Sequence, residues 1–487
     1  MTSSADVRSS IPPIVLFDYP SRQREDGRPS RLELCTLIHV AGLIIFTAWD
    51  FGGETDLARI VISWWGSLAL PIMVYASLRR LDRRDGLPAA LYWLWPLVLF
   101  DVLILASTLN PSFTHAFVGG ANALVHNGAK TDWPSCAQPG VSLYALWLFN
   151  AIYLTCFNLA LVVVHRRVLR VLLLLLVSNA LLLAVMGTFQ KLDGASGLFF
   201  GLQRSPNEAF FASFIYHNHW GAFILLATAA ALGLLFHHAR REHRDGQRHS
   251  PALFGLIATL FLAASVPLST SRSCTLLLLM LLAGALLHWL WLLRRRRQAD
   301  GRPVTAAGVL AVAVFLAGLG GIYLLGRPVI TARLDKTREQ IGEIRLHGSL
   351  GSRAQLYADT WRMAREKIWF GWGLGSYATV FQIFNQQVSV EGWVPFYAQA
   401  HSDWLQSLAE VGLVGTVLVA LLGLVPLVTL FRSGPPGVVP SYLLAGCGLL
   451  ALYAWVEFPF ANPAVMEVFW LCLFSAVRYH KLTLGGA

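Results

Sequence analysis

Residues 273–297 read SCTLLLLMLLAGALLHWLWLLRRRR: twenty-one residues without a single charge, then four arginines in a row. As a helix at about 1.5 Å per residue, the uncharged run matches the hydrocarbon thickness of a bilayer, about 30 Å. Its arginine end has the charge that marks the cytoplasmic side of a membrane. This segment sets the reading of the rest of the chain.

The same pattern recurs along the 487 residues, of which 55% are hydrophobic and 13% charged. Mean hydropathy is +0.56. About twelve spans are expected, near 34–50, 57–78, 89–109, 142–164, 168–188, 209–236, 251–268, 273–293, 304–325, 404–431, 440–458 and 464–478. A soluble fold is excluded. A bilayer offers the backbone no partners, so spans this apolar form helices. The alternating ten-residue strands of a membrane barrel are absent from the pattern. The fold class is therefore an all-α polytopic membrane protein.

Orientation follows from lysine and arginine. With both termini in the cytoplasm, 24 of the 38 basic residues fall on inner segments. Of the other 14, nine sit in one long outer loop and five elsewhere. The net charge of +11 is thus mostly a topology signal, and no nucleic-acid partner is implied. Residues 1–33 read as a cytoplasmic tail, since they lack the apolar core of a cleaved signal. The remaining organisation is helices one to nine over 34–325, a periplasmic cap over 326–403 and the last three helices over 404–480.

Six cysteines occur, and only Cys136 falls clearly in an outer loop, so no disulfide framework is expected. No CxxC or HExxH spacing points to a metal. No internal repeat is evident, which weighs against inverted-repeat transporters.

The cap breaks the apolar pattern for 78 residues, from Gly326 to Asp403. Ser352 to Trp369 has helical periodicity, with Arg353, Arg362, Arg365 and Lys367 interleaved among Leu356, Trp361, Ala364 and Ile368. Gly371-Trp372-Gly373-Leu374-Gly375 ends that helix, and a second is expected from Ser376 to about Gln387. The loop closes on Ala400-His401-Ser402-Asp403-Trp404-Leu405-Gln406. His401 stands just ahead of a membrane helix, and Asp403, Gln406 and Glu410 share one face of it. These residues suit either a general base or orienting group at the mouth of a cavity, or a helix N-cap with interfacial polar residues.

Other candidates lie on the same side. Arg272 occupies the short turn Leu268-Ser269-Thr270-Ser271-Arg272-Ser273, where it is either a snorkelling side chain or a phosphate ligand whose planar fork matches phosphate oxygens. Lys191 and Arg204 are outer cations that either bind substrate or face solvent. Tyr216-His217-Asn218-His219-Trp220 is an unusually polar start to a span, which makes Asn218 and His219 candidates for lining a cavity. His217 and His219 do not share a helix face, so a metal held by the pair is disfavoured. Asp50, Glu54 and Asp56 in the first outer loop are the remaining acidic group for a metal.

Taken in order, these motifs resemble the O-antigen ligase and Wzy-type polymerase superfamily of bacterial inner-membrane glycan transferases. The resemblance spans roughly 185–463. It is carried by Phe214 to Ala222, the Ser271-Arg272 turn, Gly351-Ser352-Arg353-Ala354-Gln355-Leu356-Tyr357, and Trp369-Phe370-Gly371-Trp372-Gly373-Leu374-Gly375. The stretch from Ala400 to Gly415 resembles "H-N-D-x-L-x-x-x-x-E-x-G-x-x-G", with Ser402 in place of Asn. Glu457-Phe458-Pro459-Phe460-Ala461-Asn462-Pro463 resembles "D-F-P-x-x-x-P".

The resemblance implies transfer of a glycan from undecaprenyl diphosphate to an acceptor hydroxyl on the periplasmic face. It implies Arg272, Arg353 and His401 as the catalytic groups, no metal and no cofactor, and a GT-C-like inverting transferase. Lys191, Arg204, Asn218, His219, Asp403 and Gln406 are the expected substrate-binding residues. The acceptor is either a growing glycan, as in a repeat-unit polymerase, or lipid A–core, as in a ligase; a protein acceptor is a third form of the same chemistry. A flippase or other transporter is the rival of a different class, and it would be expected to carry charges deep in its spans and paired repeats.

Overall fold

The computed structural model describes residues 28–82, 88–118, 121–127, 133–245, 251–299, 352–387 and 394–485, with 308–309, 312–313, 316 and 320. Most of the expected span over 304–325 and the first part of the cap therefore lie outside the described residues, as does most of the N-terminal tail.

Among the described residues, nine helices are long and apolar enough to cross a membrane. Helix α1 is Arg31–Trp49. Ser30 caps it, with its hydroxyl accepting from Glu33 N while the Glu33 carboxylate accepts from Ser30 N. Helices α2 (Asp56–Ser67) and α3 (Ala69–Asp82) form one bent span. Helix α4 (Trp95–Thr108) follows a 3₁₀ turn over Ala89–Leu94. A short antiparallel hairpin, β1 (Phe113–Val118) and β2 (Ala121–His126), leads to α5 (Pro139–Val162). Then come α6 (Arg166–Leu192), α7 (His217–Asp245), α8 (Pro251–Leu268) and α9 (Arg272–Ala299).

The described part of the cap supplies α10 (Ser352–Glu366) and α11 (Tyr377–Phe384). The chain finishes with α12 (Asp403–Arg432), α13 (Val438–Tyr453) and α14 (Pro463–Thr483). The nine spans match nine of the twelve expected. Of the others, α13 is shorter than the 440–458 anticipated. Helix α14 is not among the nine, although it is helical throughout: Glu467 and Arg478 dilute its apolar run and are buried inside the bundle.

Helix α7 is the central post, packed against α6, α8, α9, α13 and α14. Its run from Trp220 to Ala231 is almost wholly buried, and its alanines and Gly221 let neighbours approach closely. Beside it Tyr153 and Phe157 of α5 meet Trp470 and Phe474 of α14 edge to face, while Trp470 and Phe474 stack on each other. At the basic end of the bundle, Arg478 Nε donates to Val163 O and Lys481 lies 4.2 Å from the Trp93 ring centroid.

The opposite end carries the cap. It has a small core of its own, in which Leu356, Met363, Trp372, Tyr377 and Phe381 pack with Phe113 from the hairpin. Lys367 is buried beneath it, donating to Ser112 Oγ at 2.6 Å and Ser135 Oγ at 2.7 Å, 4.1 Å from the Trp372 ring. Burial in these apolar surroundings pulls its ammonium down to about 8.

Helix α12 is broken at Gly412, whose φ of 66° and ψ of −172° are non-helical. A break at membrane depth leaves amides and carbonyls without helical partners. Here the cap supplies them. Leu413 N and Val414 N donate to Ile368 O and Trp369 O, at 2.8 and 3.1 Å. Ala409 O and Glu410 O accept from Trp372 N and Gly373 N, at 3.0 and 2.7 Å. Only glycine allows this approach: a Cβ at Gly371 would strike the Glu410 backbone, and one at Gly412 the Trp369 and Phe370 backbone.

Candidate active site

Four segments converge above the broken helix. The first is the start of α7, where Tyr216, Asn218 and His219 cluster. The second is the turn before α9, the third is the start of α10, and the fourth is the loop between α13 and α14. Helix α13 ends at Tyr453, and the following chain leaves the helix because Ala454 O and Glu457 O turn to accept from Asp403 N, at 2.9 and 3.2 Å. This places Glu457 off the helix and facing the cap, rather than inside the span over 440–458.

Glu457 is the hub of the cluster. Its Oε1 lies 2.5 Å from Arg353 Nη2 and accepts from Asn218 Nδ2 at 3.2 Å. Its Oε2 accepts from Tyr216 OH at 3.5 Å and lies 3.5 Å from His401 Nδ1. The last is a close approach rather than a hydrogen bond, since His401 Nδ1 is buried with no hydrogen-bond partner. Burial alone would raise the Glu457 carboxyl, but His401 and Arg353 outweigh it, and the group titrates below the ordinary glutamate value. The Arg353 guanidinium is held charged more firmly by the same carboxylate, against the opposing effect of its own burial.

His401 has a left-handed backbone, φ 53°, uncommon for a residue other than glycine. Tyr357 OH holds that conformation by donating to His401 O at 2.9 Å. The imidazole meets the Phe458 ring edge to face at 4.7 Å between centroids. Phe458 also stacks on Tyr216, at 5.4 Å and 10°.

Arg272 begins α9 and is exposed. The residue before it, Ser271, donates to Asn218 Oδ1 at 2.6 Å, and Asn218 in turn donates to Glu457. The Arg272 turn is therefore linked to the hub through one side chain. Arg353 and His401 reach the hub directly.

The other candidates divide. Asn218 belongs to the cluster. His219 sits beside it but faces Glu54, with Nδ1 2.5 Å from Oε1 and Nε2 3.3 Å from Phe458 O. Asn462 Nδ2 donates to the same Glu54 oxygen at 2.8 Å. Burial would raise Glu54, but the His219 contact prevails and the carboxyl is lowered. These contacts staple the first and last outer loops together.

Ser402 is the N-cap of α12, accepting from Leu405 N. Asp403 Oδ2 accepts from Phe460 N at 2.9 Å. Gln406 accepts from Ala400 N and donates to Glu410, whose carboxylate accepts from Gly375 N at 2.8 Å and Tyr377 N at 3.1 Å. The polar face of α12 thus anchors the cap. Arg204 is exposed, and Lys191 borders a separate small cavity of about 170 Å³ with Gln190, Gly194 and Phe210. None of the contacts described here brings either cation to Glu457. Among the described residues no group of three or more histidine, cysteine or acidic side chains could hold a metal.

Sequence reasoning passed over Glu457 as a site residue. Its signal was an acid within the aromatic and proline-rich Glu457-Phe458-Pro459 stretch, where an unpaired charge has no place.

A polytopic helical membrane protein with a cationic, histidine-bearing cap site is the class that these features define. The family model described as O-Antigen ligase matches residues 257–420, from α8 into α12. That segment includes Arg272, Arg353 and His401, and over it the chain is similar to the O-antigen ligase family, in line with the superfamily resemblance read from the motifs. No curated protein matches the chain.

Proposed function

We propose that the protein transfers a glycan from an undecaprenyl-diphosphate carrier to an acceptor hydroxyl at the periplasmic face of the bacterial inner membrane, as a Wzy-type repeat-unit polymerase of O-antigen or exopolysaccharide. The observation that carries this reading is that Arg353 and His401, 48 residues apart in sequence, meet the two oxygens of one Glu457 carboxylate. A cation and a base side by side at the mouth of a membrane site suit a reaction that expels an anion and removes a proton.

In that reaction the acceptor oxygen attacks the anomeric carbon opposite the diphosphate. Its proton passes to His401 as general base. The bond from the anomeric carbon to the diphosphate oxygen breaks, and the diphosphate leaves with the electron pair. Arg353 and Arg272 stabilise the charge that develops there. A single displacement inverts the anomeric centre. Two cations in these roles make a metal unnecessary. Asn218 lines the same cluster; His219, Asp403 and Gln406 serve substrate binding through the loops they fix, and Lys191 and Arg204 as outer cations.

Ligation to lipid A–core is the second reading, favoured by the name of the matching family and differing only in acceptor. Deletion separates the two. Loss of a polymerase leaves single repeats, whereas loss of a ligase leaves polymer on the carrier. Purified protein given a labelled donor tests the chemistry itself: released lipid diphosphate supports transfer, and movement of intact donor alone would favour the flippase.

A further inference from the structure

Glu457 holds two partners whose proposed tasks differ. Its side chain is 3% exposed, whereas that of Arg353 is 52% exposed. The carboxylate is therefore the fixed member of the pair and the arginine the movable one. Asn218 and Tyr216 hold Glu457 from α7, Arg353 and Tyr357 face it from α10, and Asp403 and His401 from the head of α12. Cys274 of α9 and Tyr453 of α13 are the further ionisable groups around it among the described residues. Of all these, only Arg353 and His401 can bring positive charge.

We infer that Glu457 is a positioning residue that fixes the proton of His401 on Nδ1, and that donor binding hands its charge over from Arg353 to His401. This rests on the transferase reading above. A diphosphate is a stronger, bidentate partner for a guanidinium than a single carboxylate oxygen. When Arg353 turns to it, Glu457 loses its main counter-charge. His401 Nδ1 is already 3.5 Å away, buried and without a hydrogen bond. It becomes the group that answers the carboxylate.

A proton on Nδ1 facing Glu457 leaves the Nε2 lone pair for the acceptor hydroxyl. The imidazolium formed when that hydroxyl gives up its proton is then paired with the carboxylate, the same division of roles seen when a buried acid orients a catalytic histidine. The base is thereby readied only in the donor-loaded enzyme.

Glu457→Gln keeps the shape and the neighbours' hydrogen-bonding capacity but removes the charge. Full-length protein in detergent is assayed with an undecaprenyl-diphosphate-linked oligosaccharide, and kcat, donor KM and thermal stability are measured together. The expected result is a kcat lower by about 10²–10⁴-fold, with donor KM unchanged or reduced because Arg353 is released. The double variant Glu457→Gln with His401→Ala should be no slower than His401→Ala alone, as groups acting as a unit are not additive.

Additive losses, or a donor KM that rises as far as kcat falls, would overturn the inference. If Glu457→Gln does not fold, Glu457→Asp carries the same test: the shorter acid should lower kcat at least tenfold at constant donor KM, and an equal change in both overturns it. Wild-type protein that releases no diphosphate at all would instead refute the transferase reading.

Discussion

Arg353 and Glu457 are 104 residues apart in sequence, yet the guanidinium Nη2 lies 2.5 Å from the carboxylate Oε1, the shortest link between the cap and the loop joining the last two helices. An exposed arginine tied to a buried acid is a pair poised for exchange. The first prediction follows from it. Arg353→Ala should weaken donor use and lower kcat by about 10²–10³-fold, as expected for removal of one group that stabilises leaving-group charge. Arg353→Lys should rescue poorly, because an ammonium cannot make the bidentate contact. Arg272→Ala should behave alike. Steady-state kinetics with varied donor checks this, and full activity in Arg353→Lys would argue that only charge matters.

His401→Ala should spare donor binding and slow transfer by about 10²–10⁴-fold. Donor affinity measured by direct binding, beside single-turnover rates, separates the two effects. Loss of donor binding with an unchanged single-turnover rate would assign His401 to recognition.

Activity should survive EDTA, since Arg272 and Arg353 are assigned the leaving diphosphate. If chelation abolished turnover and Mg²⁺ or Mn²⁺ restored it, Asp50, Glu54 and Asp56 would become the better centre. The structure already occupies Glu54 with His219 and Asn462.

Orientation is open to direct labelling. Glu366 ends α10 and Ser433 follows α12, and both are exposed. In a background cleared of Cys35, a cysteine at 366 should react with a membrane-impermeant thiol reagent on intact cells freed of their outer barrier. One at 433 should react only after permeabilisation. The reverse pattern would invert the topology and move the site to the cytoplasm.

Lys367 gives a pH signature. Its ammonium is lowered by burial to about 8, from an unfolded value near 10.5. Between those values the unfolded chain binds the extra proton, so stability from this group rises with pH from about 8 to about 10.5 and is constant below. Thermal unfolding of wild type and Lys367→Met across pH 7 to 10 should show a difference that shifts in favour of wild type as pH rises. Parallel profiles would mean that Lys367 is not titrating beneath the cap.

The spans were legible because their signal is local. Twenty apolar residues bounded by arginine carry their meaning whatever surrounds them. His401 stands out in the sequence because an imidazole at the edge of a span is out of place there, whereas Arg353 is one of several cap cations and is singled out only by the family resemblance. Glu457 does not stand out, because its meaning lies in partners on α7, α10 and the head of α12. It also stood in an apolar stretch that reads as a continuation of α13. For Gln406 and Glu410, the shared helix face leaves open a cavity mouth or interfacial polar residues behind an N-cap. They do line one face, but the cap backbone occupies it. Helical periodicity shows which side a residue is on and not what lies opposite.

The backbone seam between residues 368–373 and 409–414 has a mechanical consequence. Four main-chain hydrogen bonds, with no room for a Cβ at Gly371 or Gly412, make the cap's trailing segment and residues 403–414 of α12 a single rigid piece. The cap cannot swing as a loop on two free ends. Because the seam binds the chain on both sides of Gly412, any movement that carries Arg353 toward the membrane takes the head of α12 with it, and His401 rides on that head. Cation and base are thus geared together, and a displacement of one sets the displacement of the other.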